Sequence, residues 1–307
     1  MTRSWPAARR ARAVLAAAPR VHLAVATPSG PHVAPTAVAV GGGKLWIVTP
    51  RSSLRARTIS KRPDVGALLR VGERSVVLRG TAEILDPTSP AAALRLLRSL
   101  PAAKAAALDY LPRNRRLLGG YTRDLLDMPT GAFPLDRVVL VVRPRGGLLV
   151  EGDEVLTRWG DWPEAITVAP PKLGSRPGVA SEVHELPPAA AALCDRDGDA
   201  VLGWSTAAGP LALPARWRAT VGRITIPAAL VDELDPPRRA PACLSLDDST
   251  SSRPSRLRGL ILRGPGELRS RRAGRTEVAL RIERLSWFTG FTAGTVEASP
   301  ARARRSA

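Results

Sequence analysis

The chain has 307 residues, 44% of them hydrophobic, and sets 46 Lys and Arg against 27 Asp and Glu for a formal charge of +19. That length suits two domains of ordinary size, and apolar runs broken by Pro, Gly or Arg well short of bilayer thickness exclude a helical membrane span. Cys194 and Cys243 stand far apart with no CxxC and no His-rich neighbourhood, which excludes a zinc ribbon or disulfide framework and fits a reduced, cytoplasmic protein.

The charge is nearly all arginine and is scattered through both halves, with three Phe and two Tyr for base stacking. Without aromatic interleaving, an Ala/Arg/Pro-rich composition reads as the imprint of a GC-biased genome. It does not read as a specific nucleic-acid surface.

The basic, Ala-rich start lacks the large side chains of a signal peptide, so Pro6 to Ala18 is read as a first helix stopped by Pro19. VHLAVAT and HVAPTAVAV, separated by PSGP, alternate like paired strands, and KLWIVT follows the Gly41 to Gly43 turn as a third. Next comes a short Ser/Arg helix that must stop near Lys61, because Pro63 disfavours helix in the residue before it. VGALLRV and SVVLRGTAEIL complete five strands, a pattern that suggests a small barrel. From Pro90 to about Leu126 the text turns helical, with breaks expected at Pro101 and Pro112. RVVLVVRP (Arg137 to Pro144) is a sixth strand, and the Pro-, Gly- and charge-rich tract from Glu151 to Pro188 reads as a linker with some local structure.

After the linker the order of signals repeats. AAALCDRDGDAVLGWST, GPLALPARW, GRITIP, APACLSL, SRLRGLILRGPGELR and EVALRIERLSWF supply a helix end and six strands, and Leu78 to Glu83 matches Leu262 to Glu267 as an LRGxxE pair. This predicts a duplicated barrel: mainly β with peripheral helices, two tandem split β-barrels of Greek-key type, the second degenerate. The expected boundaries are 1–150 for the first domain with its helical insert, 151–188 for the linker, 189–300 for the second repeat and 301–307 for a basic tail.

The segment LWIVTPRSSLRAR, an apolar run ending at Pro50 and opening into hydroxyls and arginines, is the chemistry of a phosphate corner. Ser52, Ser53, Arg55 and Arg57 are the candidate ligands, with Thr49 and Pro50 closing the strand. The competing reading is a solvated helix start capped by serine. No Ser-His-Asp set, carboxylate pair or GxxxxGK loop is present, so any chemistry must come from a cofactor. His22, His32 and His184 have no spaced partner and read as structural.

These strands and this corner resemble the pyridoxamine phosphate oxidase-like, FMN-binding split-barrel superfamily. The resemblance rests on Gly30, Pro31 and Pro35 in the first strand pair, on Ser53, Arg55 and Arg57 after the third strand, and on WFTGFTAGTV from Trp287 to Val296. It implies a flavin between two barrels, FMN or alternatively an 8-hydroxy-5-deazaflavin coenzyme. The phosphate would lie at Ser53, Arg55 and Arg57, and Trp287 and Phe288 are candidates to cover the ring, against a reading as core aromatics. It also implies an oxidoreductase passing hydride between flavin and a small-molecule substrate or nicotinamide donor, with a cofactor-free binding or regulatory module as the alternative. The second repeat supplies the facing barrel as an intramolecular pseudo-dimer, with further association into a homodimer left open. Because repeat two carries Asp232 and Glu233 at its equivalent corner, one phosphate site per chain is expected.

Overall fold

The computed structural model describes residues 5–6, 8–86, 88–89, 100–124, 128, 136–162, 186–248 and 251–297. Helix α1 (Arg9–Ala17) ends as the chain turns extended at Ala18, the conformation that a following proline imposes. Strands β1 (Arg20–Thr27) and β2 (Gly30–Ala37) form a hairpin, and β3 (Ala39–Gly41) continues β2 beyond Val38. The turn at Gly42 and Gly43, both at positive φ, leads into β4 (Lys44–Pro50), then helix α2 (Leu54–Ile59), β5 (Asp64–Val71) and β6 (Arg74–Leu85). Helix α3 (Leu100–Arg123) precedes β7 (Arg137–Glu151) and β8 (Glu154–Gly160).

The second unit opens with α4 (Pro188–Ala191), β9 (Gly198–Thr206), β10 (Gly209–Arg218), β11 (Arg223–Pro227) and α5 (Ala228–Leu234). Strands β12 (Arg239–Asp248), β13 (Arg258–Arg272), β14 (Arg275–Leu280), β15 (Arg284–Thr289) and β16 (Thr292–Glu297) complete it.

The two sheets share one antiparallel order. In the first the path runs β2-β1-β5-β6-β7-β4-β3, and since β3 is the continuation of β2 it returns to its start. In the second, β12-β9-β10-β11-β14-β13 closes through the β12–β13 pairing. Strand for strand, β9 matches β1, β10 matches the interrupted β2 and β3, β11 matches β4, and β14 with β15 matches the long β7. The fold is thus two tandem split-barrel units with peripheral helices, and the LRGxxE repeat falls where both units bend. At Gly80 a Cβ would run into the Arg143 carbonyl, and at Gly264 into that of Arg281.

Alternation along the strands explains how the units pack. Val21, Leu23, Leu45, Ile47, Leu69 and Leu140 fill the first barrel, while Ala24, Leu68, Val77, Leu148 and Val150, on the outward face, merge with the core of the second. The contact is reciprocal, as in a two-fold dimer. Gly30 of the first unit lies against Pro241 of the second (3.1 Å from an ideal Cβ), and its counterpart Gly209 lies against Asp64 (3.0 Å). Thr27 Oγ1 donates to the Gly30 carbonyl at 2.6 Å, and Thr206 Oγ1 to that of Gly209 at 2.6 Å.

Three expectations need correction. Pro112 does not break the helix: it sits inside α3, and the carbonyl left without its N–H partner belongs to Leu108, which is solvent-exposed. The sixth strand does not stop at Pro144 but runs to Glu151, and the local structure expected in the tract after it begins as β8, paired to β7. EVALRIERLSWF is two strands, divided at residues 281–283 where β13 changes partner from β14 to β15. The break expected at Pro101 falls within the first turn of α3, and residues 90–99, 163–185 (with His184) and 301–307 lie outside the described residues.

Helix α3 is tied to the first barrel by polar contacts. Asp109 accepts from the Val40 N–H at 2.8 Å, and Arg113 donates to the last carbonyls of α1, at Leu15 and Ala18, both at 2.8 Å. Its end reaches the second unit, where fully buried Asp124 accepts from the Ser255 N–H at 2.8 Å and from Arg253 Nε at 2.7 Å. Among the described residues no helix is long and apolar enough to cross a membrane.

Candidate cofactor site between the barrels

The corner after β4 is built by its own side chains. Ser53 accepts from the Ala56 N–H at 3.2 Å and so caps α2, while buried Thr49 donates to Ser53 Oγ at 3.1 Å. Arg51 bridges Asp136 (2.7 Å) and Asp86, pinning the corner to the start of β7. With these groups engaged, the chain emerges with Pro50, Leu54, Arg55 and Arg57 facing a cavity of about 1210 Å³.

The opposite wall is the second unit's β13–β15–β16 ribbon. Consecutive side chains on a strand point to opposite faces. Arg284, Ser286 and Phe288 therefore share the cavity face with Arg263, while Trp287, which also borders the cavity, packs against the second barrel's core. The Phe288 ring lies over Gly259 and the Trp287 indole over Gly294, each filling the space that a Cβ would take. Both aromatics considered as a ring cover line the cavity, and Trp287 also packs against the second barrel's core.

Of the six residues singled out from sequence, the structure brings Pro50, Arg55 and Arg57 to the cavity. Thr49 and Ser53 hold the corner from behind, and Ser52 is exposed at the turn, outside the lining. His32, read as structural, faces the cavity from β2. The signals that place Arg263, His32 and Ser286 in one wall are long-range, and none of them forms a local motif.

The cavity's electrostatics are one-sided. Its lining contains Arg55, Arg57, Arg263, Arg284 and His32 and no Asp or Glu. Arg284 pairs with Glu297 at 2.7 Å. Arg55 donates to the Pro35 carbonyl at 3.3 Å and meets no carboxylate among the described residues. Desolvation pushes its guanidinium down to about 10, so it remains charged at neutral pH. Arg263, 7% exposed, has its pKa lowered, chiefly by burial. His32 is held well below the usual imidazole value by burial first and then by the positive charges of Arg263 and Arg55. It is neutral and accepts from Arg263 Nη2 through Nδ1 at 3.0 Å, which leaves its proton on Nε2.

The second unit has a counterpart corner, and it is closed. Pro214, Pro227 and Gly152 stand where Pro35, Pro50 and Gly290 stand around the cavity, yet they enclose only about 20 Å³. Every arginine there is neutralised: Arg70 by Asp199 (3.1 Å), Arg216 by Glu73 (3.2 Å) and Arg275 by Asp153. The acidic pair read from sequence at this corner is tied down too, Glu233 by Arg158 at 2.9 Å and Asp232 by Arg271.

The family model described as pyridoxamine 5'-phosphate oxidase matches residues 7–122, which span the first barrel's strands through β6, the Arg55 corner and most of α3. This segment is similar to that family and takes in less than half of the chain. No curated protein gives a significant sequence match.

Solved structures similar to this chain each cover about half of it. General Stress Protein 26 from Bacillus anthracis is 15% identical over 48% of this chain and 95% of its own, with a TM-score of 0.32. An F420 reductase is 24% identical over 44% of this chain and 94% of its own, with a TM-score of 0.30. A heme binding protein from Mycobacterium smegmatis is 20% identical over 50% of this chain and 58% of its own, with a TM-score of 0.35. The described residues contain no cluster of His, Cys, Asp or Glu suited to a metal ion.

Proposed function

We propose that the cavity holds one phosphate-bearing flavin-type cofactor per chain, FMN or a deazaflavin, and that the protein is an oxidoreductase acting on a small molecule. The observation that carries this reading is the set of cavity arginines, three of which (Arg55, Arg57 and Arg263) meet no carboxylate among the described residues, beside a counterpart corner where every arginine is paired. A donor set of this kind fits a phosphate, because charge-assisted bonds from guanidinium are the strong ones and an anion offsets the cost of burying Arg55.

In this reading Arg55 is the principal phosphate ligand, with Arg57 at the exposed edge of the same helix. Thr49 and Ser53 act one step back, fixing the turn from which Arg55 projects. Phe288 covers part of the cavity and excludes water from it. His32 contributes an N–H donor at Nε2, its tautomer set by Arg263. When bound, a flavin supplies hydride exchange with a substrate or a nicotinamide donor; the protein supplies binding, orientation and charge. Both walls come from one chain, so this account requires no second copy.

The test compares FMN with riboflavin, which lacks the phosphate, in fluorescence titrations of the full-length protein. FMN binding at least tenfold more tightly supports the assignment. Equal affinities, or no binding of FMN or of a phosphate-bearing deazaflavin, would refute it.

A further inference from the structure

We propose that Arg263, with His32, forms a second anion subsite in the cavity, distinct from the Arg55 corner and suited to a carboxylate or phosphate oxygen of a small molecule bound beside the cofactor. Arg263 is almost completely buried, and its recorded hydrogen bonds use Nη2 alone, to His32 Nδ1 at 3.0 Å and Ser286 Oγ at 2.9 Å. Both partners are neutral. Its Nε is buried without any partner among the described residues, although a guanidinium presents five donors in a rigid fork.

The repeat supplies the comparison. Arg79 occupies the same place in the first unit's LRGxxE, where it is partly exposed, donates to the Ala208 carbonyl at 3.3 Å and lies in the fields of Arg145, Asp64 and Asp161. Arg263 has no such acidic neighbour in the cavity lining: the charge beside it is that of Arg284, and the buried Cys243 thiol, pushed up to about 11, is neutral. One copy of the repeat thus has carboxylates nearby, and the copy facing the open cavity has none in its lining. The adjacent hydroxyls, Ser286 Oγ and Thr295 Oγ1 at 3.1 Å from each other, extend the polar wall. His32 Nε2, which makes no hydrogen bond among the described residues, is a second donor for the same anion.

This subsite deepens the cofactor reading but does not depend on it, and its test separates the two. The full-length protein, with and without FMN, is titrated with inorganic phosphate and with acetate while the His32 ring ¹⁵N signals are followed. The expected result is a saturable shift of both signals that persists when FMN is present. Arg263→Gln should weaken the response at least tenfold, Arg263→Lys should retain a measurable part of it, and Arg55→Ala should leave it in place. If His32 does not respond in the wild-type protein, or Arg55→Ala removes the response while Arg263→Gln keeps it, the subsite is overturned. If FMN fails to bind while the His32 response persists, the cofactor reading fails and the subsite stands. Should Arg263→Gln fail to fold, the wild-type titrations and Arg263→Lys decide: a response lost on adding FMN, or absent from both proteins, contradicts the proposal.

Discussion

Arg158, on the last strand of the first unit, and Glu233, on the corner helix of the second, form an ion pair at 2.9 Å that lies over the second unit's own corner. Across the pseudo-two-fold, the equivalent relation is between the β15–β16 ribbon and α2, and there the elements stand apart around the cavity. The duplicated fold therefore offers two geometrically related places and keeps one open.

Because both partners of that pair are partly exposed, Glu233→Gln should cost at most about 1 kcal/mol. Closure of the corner rests on packing as well as on this pair, with about 20 Å³ remaining, so the substitution should create no second site. Denaturant unfolding and a stoichiometric FMN titration of the variant check both points. A second equivalent of bound flavin would show that charge alone had kept the corner shut.

Removing the principal phosphate ligand should act on affinity in a way specific to phosphate. A hydrogen bond to a charged group contributes about 1.5–3 kcal/mol, so Arg55→Ala should weaken FMN by roughly 10- to 150-fold. Riboflavin affinity should change little, because Arg55 is assigned to the phosphate alone. An equal loss for both ligands would mean that the substitution had disturbed the cavity as a whole.

Acid should destabilise the protein through His32. Its folded pKa lies well below the unfolded value near 6.5, so the unfolded chain binds the proton first as pH falls. The stabilisation is fully present above about pH 6.5 and is lost on going down toward the folded pKa, by up to about 1.4 kcal/mol per pH unit. His32→Gln should remove this slope in urea unfolding measured from pH 7.5 to 5. A slope that survives the substitution would assign it to other groups.

The barrel interface should be intolerant of small additions. Gly66 on β5 faces Pro210 and Leu211 of β10 so closely that a Cβ would meet the Pro210 carbonyl and the Leu211 backbone, so Gly66→Ala must push the two units apart. Overpacking of this kind costs about 1–3 kcal/mol or more. Gly198→Ala, where nothing lies within 4 Å, is the control and should be close to neutral. Comparable losses in both would argue against a tight interface at Gly66.

Much of this architecture was legible in the sequence because it is written in local periodicity. Alternating strands such as VHLAVAT and GRITIP, the glycine turn at Gly41 to Gly43 and the LRGxxE pair each carry their own physical signal, and the succession of strands along the chain followed from them, though not their order within the sheets. Pro112 misled because the cost of a proline inside a helix is reduced where the freed carbonyl can reach water, and exposure at Leu108 is a tertiary property. At the site, Arg55 and Arg57 stood out because they are close in sequence and follow a strand end. His32, Arg263 and Ser286 come from separate strands of different barrels, so their meeting is a consequence of the pseudo-two-fold packing.

The most direct test of the central claim, one phosphate-bearing flavin per duplicated chain between the barrels, is a stoichiometric titration of the purified full-length protein with FMN, followed by flavin fluorescence and absorbance. The account requires saturation at one equivalent per chain. Saturation at two equivalents, or no binding of either FMN or a phosphate-bearing deazaflavin, would contradict it.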